Sequence, residues 1–423
     1  MSYIRRLSPI VLSFIVVLTL LIPAGANEVV TFWYYGAQSD FDVLEVFARD
    51  FEAENPGIKI EVVNVPYSSE WEKWAVAAAG GSPPDASMGN FGIFRVLGDV
   101  LEPLERYAEA SGDIRRESFF PAHWDAAWYG GRLLALPFRA NAQVILYDKQ
   151  AFDESGIGDI PHTWAELQDH ATRLTRRTGD NVDRWGFSFR NAQLNRTANH
   201  FAQRNGWQPF DHEYTSAYYT DEKLIETLSF LNGMVVNGVA AIQGMPGVGS
   251  LASQRVAMLN DGPWALANIF ASNPNFEVGA FVPPAGPSGE QPYANMGGEN
   301  LVMFKDSKNK EAAWKWLTYL AYERNADYNK MTGAFFPVVT YAATDPHWFE
   351  SEVWSAVLKN YEEGRLPLGT TPCGIRLASV DAYDQALADI FNQRSAIGPA
   401  LATVQAIAQA DIVNPEFLAC LDR

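Results

Sequence analysis

The stretch from residue 131 to 147, G-R-L-L-A-L-P-F-R-A-N-A-Q-V-I-L-Y, constrains this chain more than any other. Two apolar runs of strand length, 133–138 and 144–147, flank a short polar insert, a pattern that takes the backbone out of one hydrophobic layer and into another. It predicts a crossing between two lobes. Pro137 removes a ladder donor and biases Leu136 toward extended geometry. Arg139, Asn141 and Gln143 then offer a guanidinium and two amides where two cores meet, and clefts between domains are where small-molecule sites are commonest.

The length allows such a division. With 423 residues, 48% of them hydrophobic, the chain can bury a large core and is long enough for two domains. Residues 1–26 stand apart: Arg5 and Arg6 precede an apolar run over 10–22, and Ala24-Gly25-Ala26 supplies small residues before Asn27. This is the pattern of a secretory signal peptide cleaved after Ala26, and no second long apolar stretch follows. The mature protein is therefore expected to be exported and not inserted in the membrane. Pro23 follows the apolar run and no Cys lies near the cleavage site, so a lipid anchor is not expected.

Removing Arg5 and Arg6 leaves 30 basic against 50 acidic residues, a formal charge of −20. Such a surface repels phosphate backbones and anionic lipid, which argues against nucleic-acid or membrane-surface partners. The only cysteines, Cys373 and Cys420, lie 47 positions apart. After export a disulfide stapling the tail to the body is the expected use, with two buried free thiols as the alternative.

Taken in order, residues 29–35 form a β-rich run. Phe41, Leu44, Phe47 and Phe51 then recur at helical spacing, and Ile58, Ile60 and Val62 alternate as a strand, which makes a β-α-β unit. Further β-α alternation through residue 88 predicts an α/β sheet with its ligand edge just past the strand ends. Trp33, Tyr34, Tyr35, Gln38 and Asn90 fall there. Thr163 with Glu166 three residues on is a capping box for a helix through Leu174. The segment 191–207 is amide-rich and includes Asn195, while the glycine-rich stretch 244–250 lacks phosphate-loop spacing and reads as a mobile connector. An apolar strand then ends at Leu259, Gly262 allows a tight turn, and Pro263 suits a helix start, so Trp264 projects from a strand-to-helix corner. Residues 276–284 and 333–337 read as second and third crossings, and Gly297-Gly298-Glu299 brings bare backbone close to any ligand.

In order along the mature chain stand F-E-A-E-N-P-G-I-K-I-E, G-G-S-P-P-D, L-E-P-L, G-R-L-L-A-L-P-F, V-I-L-Y-D-K, P-H-T-W-A-E-L, R-V-A-M-L-N-D-G-P-W, M-G-G-E-N, K-N-K-E-A-A-W-K-W-L and T-G-A-F-F-P-V. Together they resemble the extracellular solute-binding proteins of carbohydrate ABC transporters, the group containing the maltose-binding and trehalose/maltose-binding proteins. The resemblance implies an α/β, two-lobe periplasmic-binding-protein fold whose lobes, joined by hinge crossings, close around a sugar. The lobes are expected over 27–138 with 283–333 and over 139–282 with 334–423. It further implies a monomeric periplasmic receptor that delivers its ligand to an inner-membrane ABC permease, with no cofactor. Trp264 matches the family's cleft tryptophan that stacks on a pyranose, and Asn141 takes a position where an acidic residue often binds sugar hydroxyls. Asn90, Gly297, Gly298 and Glu299 match further ligand segments. Trp33, Tyr35 and Gln38 match the first ligand loop, and Arg376 the C-terminal arginine of some members. Asn141 and Arg139 depart from the pattern, and a guanidinium there also suits a sugar acid or phosphate.

The main rival is an exported glycoside hydrolase working through two carboxylates. No segment places a distinctive acidic pair, no G-x-S-x-G elbow is present, and the six His show no H-E-x-x-H metal spacing. No catalytic residue and no metal ligand is therefore assigned.

Overall fold

The computed structural model describes residues 28–418 apart from 67–69, 91–92, 94–96, 190–193, 212, 243–246, 290–295, 334, 364–376 and 416. The leader, Arg376 and both cysteines lie outside the described residues. Strands β1 (Glu28–Tyr34), β2 (Ile58–Asn64), β3 (Ala86–Asn90) and β4 (Leu136–Ala142) precede β5 (Val144–Asp148), β6 (Asn181–Ser188), β7 (Ala240–Ala241) and β8 (Val256–Asp261). Then come β9 (Val278–Phe281), β10 (Met296–Met303) and β11 (Phe336–Pro337). The helices that matter for the site are α1 (Gln38–Glu54), α2 (Trp164–Leu174), α3 (Leu194–Arg204), α4 (Asn325–Thr332) and α5 (Glu352–Glu363).

These strands make two main sheets, ordered β11-β4-β10-β3-β1-β2 and β7-β6-β8-β5-β9. In the first, β1 lies parallel to β2 and β3, while β10 runs antiparallel between β3 and β4. The β-α-β expectation over 28–64 holds because Val30, Phe32 and Tyr34 alternate inward, and because Leu44, Phe47, Ala48 and Phe51 bury one face of α1. Half of the capping box holds: Thr163 Oγ1 accepts the Glu166 N–H at 3.1 Å and opens α2, while the Glu166 side chain accepts the N–H of His162, one residue before the cap, at 2.7 Å. The glycine-rich stretch differs from expectation, since Gly247–Ala252 is helical.

The first crossing is a single residue. β4 stays in the first sheet through Ala142 and β5 enters the second at Val144, leaving Gln143 between them. The sequence reading places the change of lobe at 138/139. Instead the β4–β10 register shifts between Glu299 and Asn300, so the donor that Pro137 lacks sits at a bulge inside the strand. Asn325 at the start of α4 satisfies the disrupted backbone, donating to the Phe138 carbonyl at 2.6 Å and accepting from Val338 N–H at 3.1 Å. Asn360 of α5 donates to the carbonyl of Gln143 itself at 3.0 Å, and both asparagines are fully buried. The second change of sheet lies between Phe281 and Met296. At the third, Phe336 and Pro337 still pair with β4 in the first sheet, beyond the expected boundary at 333/334.

Candidate functional site

On the first sheet, pairing gathers residues that are far apart in sequence. Asn141 lies opposite Gly297 and Arg139 opposite Glu299, which on its other side faces Asn90. The absence of a side chain at 297 has a direct cause: a Cβ there would stand 2.2 Å from Asn141 Oδ1, so glycine makes room for that amide. Trp33, half-buried, stands near the carboxyl end of β1, and Gln38 is exposed as the first residue of α1. Trp33, Gln38, Asn90, Asn141, Gly297, Gly298 and Glu299 thus share one edge, where ligands of open α/β sheets bind.

Arg139 belongs to the same edge but lies beneath it. Its side chain is 2% exposed, with Nε donating to Glu299 at 2.9 Å and Nη1 lying 3.4 Å from both Asp40 Oδ2 and the Tyr34 hydroxyl. The guanidinium also stacks on the Phe335 ring, 3.6 Å from its centroid. Burial works against the arginine's charge, but Glu299, Tyr34, Tyr328 and Asp40 outweigh it and hold its pKa well above the ordinary value. Burial pushes the Glu299 carboxyl up, with Arg139 opposing. A guanidinium with both edges and a face so engaged is a structural pin, and this corrects its expected role as a direct ligand for a sugar acid or phosphate.

On the second sheet Pro263 and Trp264 form the expected corner after β8, but the strand runs on through Asp261 instead of ending at Leu259 and Gly262 is extended instead of making a tight turn. Asp261 is paired with Val144, one residue past the crossing. Gly262 is extended (φ −144°, ψ 179°), and Pro263 opens a short 3₁₀ turn that carries Trp264. The indole folds back over the glycine, where a Cβ would meet ring atoms at 2.2 Å. Its Nε1 donates to Asp261 Oδ1 at 2.6 Å, and the same oxygen accepts the Gly262 N–H at 3.0 Å. Trp264 is half-buried whereas Asp261 is 2% exposed. Next to this corner, Asn260 binds Thr197 Oγ1 at 3.1 Å and His200 Nδ1 at 2.8 Å. Those bonds moor the first turn of α3, where the half-buried Asn195 sits, to the end of β8.

Two expectations fail in placement. Tyr35 is 2% exposed and packs edge-to-face on Trp74 at 5.9 Å, so it serves the core. Arg139 is the second. Sequence reasoning missed Asp40, Asp261 and Phe335, and it listed Tyr34 at the strand end without assigning it a role. Asp261 had a signal in its position before Gly-Pro-Trp, but Asp40 looks like any acidic residue in a first helical turn.

Two sheet-centred bodies, joined at Gln143 by a one-residue crossing with an indole and amide side chains beside it, have the two-lobe architecture of a periplasmic-binding-protein fold. The chain belongs to the bacterial extracellular solute-binding proteins, whose family pattern it matches over residues 35–327. It is 28% identical over 333 residues to a putative binding protein of Brucella abortus, covering 75% of this chain and 77% of that one. It is 25% identical over 335 residues to the maltotriose-binding protein of Pyrococcus abyssi, covering 76% and 69%. Its fold is that of an ABC substrate-binding protein of Listeria monocytogenes solved in complex with cycloalternan (TM-score 0.80, 22% identity, 91% of this chain and 98% of that chain). Among the described residues no helix is long and apolar enough to cross a membrane.

Proposed function

We propose that this protein captures a mono- or oligosaccharide between its two bodies and delivers it, unaltered, to an inner-membrane ABC permease. The observation that carries this reading is the Trp264 indole, half-exposed and fixed on one side of the crossing while the Asn141 amide and Glu299 lie on the other. A pyranose has apolar C–H faces and a rim of hydroxyls, so it needs a flat aromatic together with hydrogen-bonding groups. A relative named for maltotriose binding and a structural neighbour holding cycloalternan support the same ligand class. The mature receptor starts at Asn27, works as a monomer in the periplasm and needs no cofactor. Its lobe boundaries fall at Gln143, within 282–295 and after Pro337, with α5 lying across the joint.

A thermal-shift screen of the mature protein against neutral sugars, polyols, sugar acids and sugar phosphates tests the reading, since a ligand that binds only the native state raises its melting temperature. Neutral sugars are expected to give the shift, and the sugar recovered by chromatography should be unchanged. A shift confined to non-carbohydrate solutes, or a hydrolysed product, overturns it. Trp264→Ala is expected to weaken sugar binding by about 2–3 kcal/mol, the scale of a stacking hot spot, with the melting temperature nearly unmoved. A melting temperature that drops as steeply as the affinity makes Trp264 a core residue instead.

A further inference from the structure

We infer that Asp261 and Gly262 are positioning residues that set the angle of the Trp264 indole before any ligand arrives. The inference rests on the carbohydrate reading for its consequence in affinity, but the geometry stands without it. One oxygen, Asp261 Oδ1, accepts both the indole Nε1–H at 2.6 Å and the Gly262 N–H at 3.0 Å, tying the ring to the backbone of its own corner. Asp261 is 2% exposed, and its strand is paired with β5 as far as Asp261 itself and with β6 as far as Leu259, which anchors the backbone that carries the acceptor. A bond from N–H to a buried carboxylate is charge-assisted and shorter than a neutral one.

Gly262 fixes the remaining freedom. The ring rests where a side chain at 262 would stand, so its inner face has a floor made of bare backbone. Since Gly262 is extended at φ −144°, an alanine there is conformationally allowed, and the nearest atoms its Cβ would meet are those of the indole. An aromatic whose rotamer is locked before binding loses little side-chain entropy on complex formation, which is the way a stacking residue gains affinity without further contacts.

The test combines a ligand-free readout with a mutant cycle. The protein is labelled with 5-fluorotryptophan and the Trp264 resonance assigned by its loss in Trp264→Phe. In Asp261→Ala that resonance is expected to shift and broaden, and Asp261→Asn, which keeps an oxygen acceptor, is expected to restore it. Using maltotriose as the probe, Asp261→Ala should weaken binding about tenfold, the worth of one hydrogen bond, with most of the loss recovered in Asp261→Asn. If Asp261→Ala fails to fold, Gly262→Ala carries the test: it should shift the same resonance and weaken binding, and its effect should vanish in a Trp264→Ala background. An unchanged Trp264 resonance in the folded variants, or a Gly262→Ala effect that persists without the indole, overturns the inference. If no carbohydrate binds the wild type, the proposed ligand class fails while the fluorine spectra still decide the positioning role.

Discussion

Arg139→Ala is expected to lower folding stability by about 3–5 kcal/mol, the cost of breaking a buried charged pair from one side. The guanidinium stands between Glu299 and Asp40 with almost no access to water, so its removal leaves two buried carboxylates facing each other. It also empties the space against Phe335, which the arginine stacks on, and removes a donor from Tyr34. Urea unfolding followed by far-UV circular dichroism measures the effect as a lower midpoint at unchanged slope. A triple replacement, Arg139→Met with Asp40→Leu and Glu299→Leu, should be far closer to wild type than the single change, because it removes the charges together. If Arg139→Ala unfolds at the wild-type midpoint, the cluster is hydrated and the account of it given above fails.

Acid should destabilise the protein well before its carboxylates are exhausted. His200 is fully buried with Nδ1 on Asn260, and burial lowers its pKa to about 3; burial lowers that of His123 to about 4. The sign follows from the unfolded chain, where both rings take a proton near pH 6.5 while the folded protein keeps them neutral. Their stabilising contribution is complete above pH 6.5 and is lost as pH falls, at about 1.4 kcal/mol per pH unit for each ring. The loss ends near pH 4 for His123 and near pH 3 for His200. Glu299 works the other way: its raised pKa adds stability that is fully present below the unfolded carboxyl value and lost as pH rises. Burial raises Asp148 and Glu323 as it does Glu299, and lowers His170 as it does the two deeply buried rings; His123 and His200 carry the largest of these shifts, so the urea midpoint should fall as pH drops from 6.5 toward 4. The imidazole resonances should show both rings neutral at pH 5.5. A ring titrating with a midpoint near 6.5 would place it in contact with solvent.

Much of this architecture is legible in the sequence because its signals are local. Apolar spacing is enough to draw β1, α1 and β2, a Thr three residues before a Glu marks the start of α2, and Asp-Gly-Pro-Trp marks the corner that carries the indole. The misreadings come from long range. Arg139 meets Asp40 across 99 positions and Glu299 across 160, and no local pattern says that a guanidinium will be spent on buried carboxylates. The ladder donor that Pro137 lacks is predictable from its own chemistry, but the bulge and the Asn325 amide that accommodate it come from residues far away in sequence. Tyr35 shows the limit of reading exposure from position: it sits one residue past β1, near Trp33, yet turns onto Trp74.

The grip of Asn360 on Gln143 and of Asn325 on Phe138 bears on how the receptor can open and shut. The strand leading into this crossing and the Gln143 carbonyl itself are each fastened to a helix, so the first crossing has little slack of its own. Under the proposed role, a guest's permitted bulk is then governed by swing angle rather than by tether length.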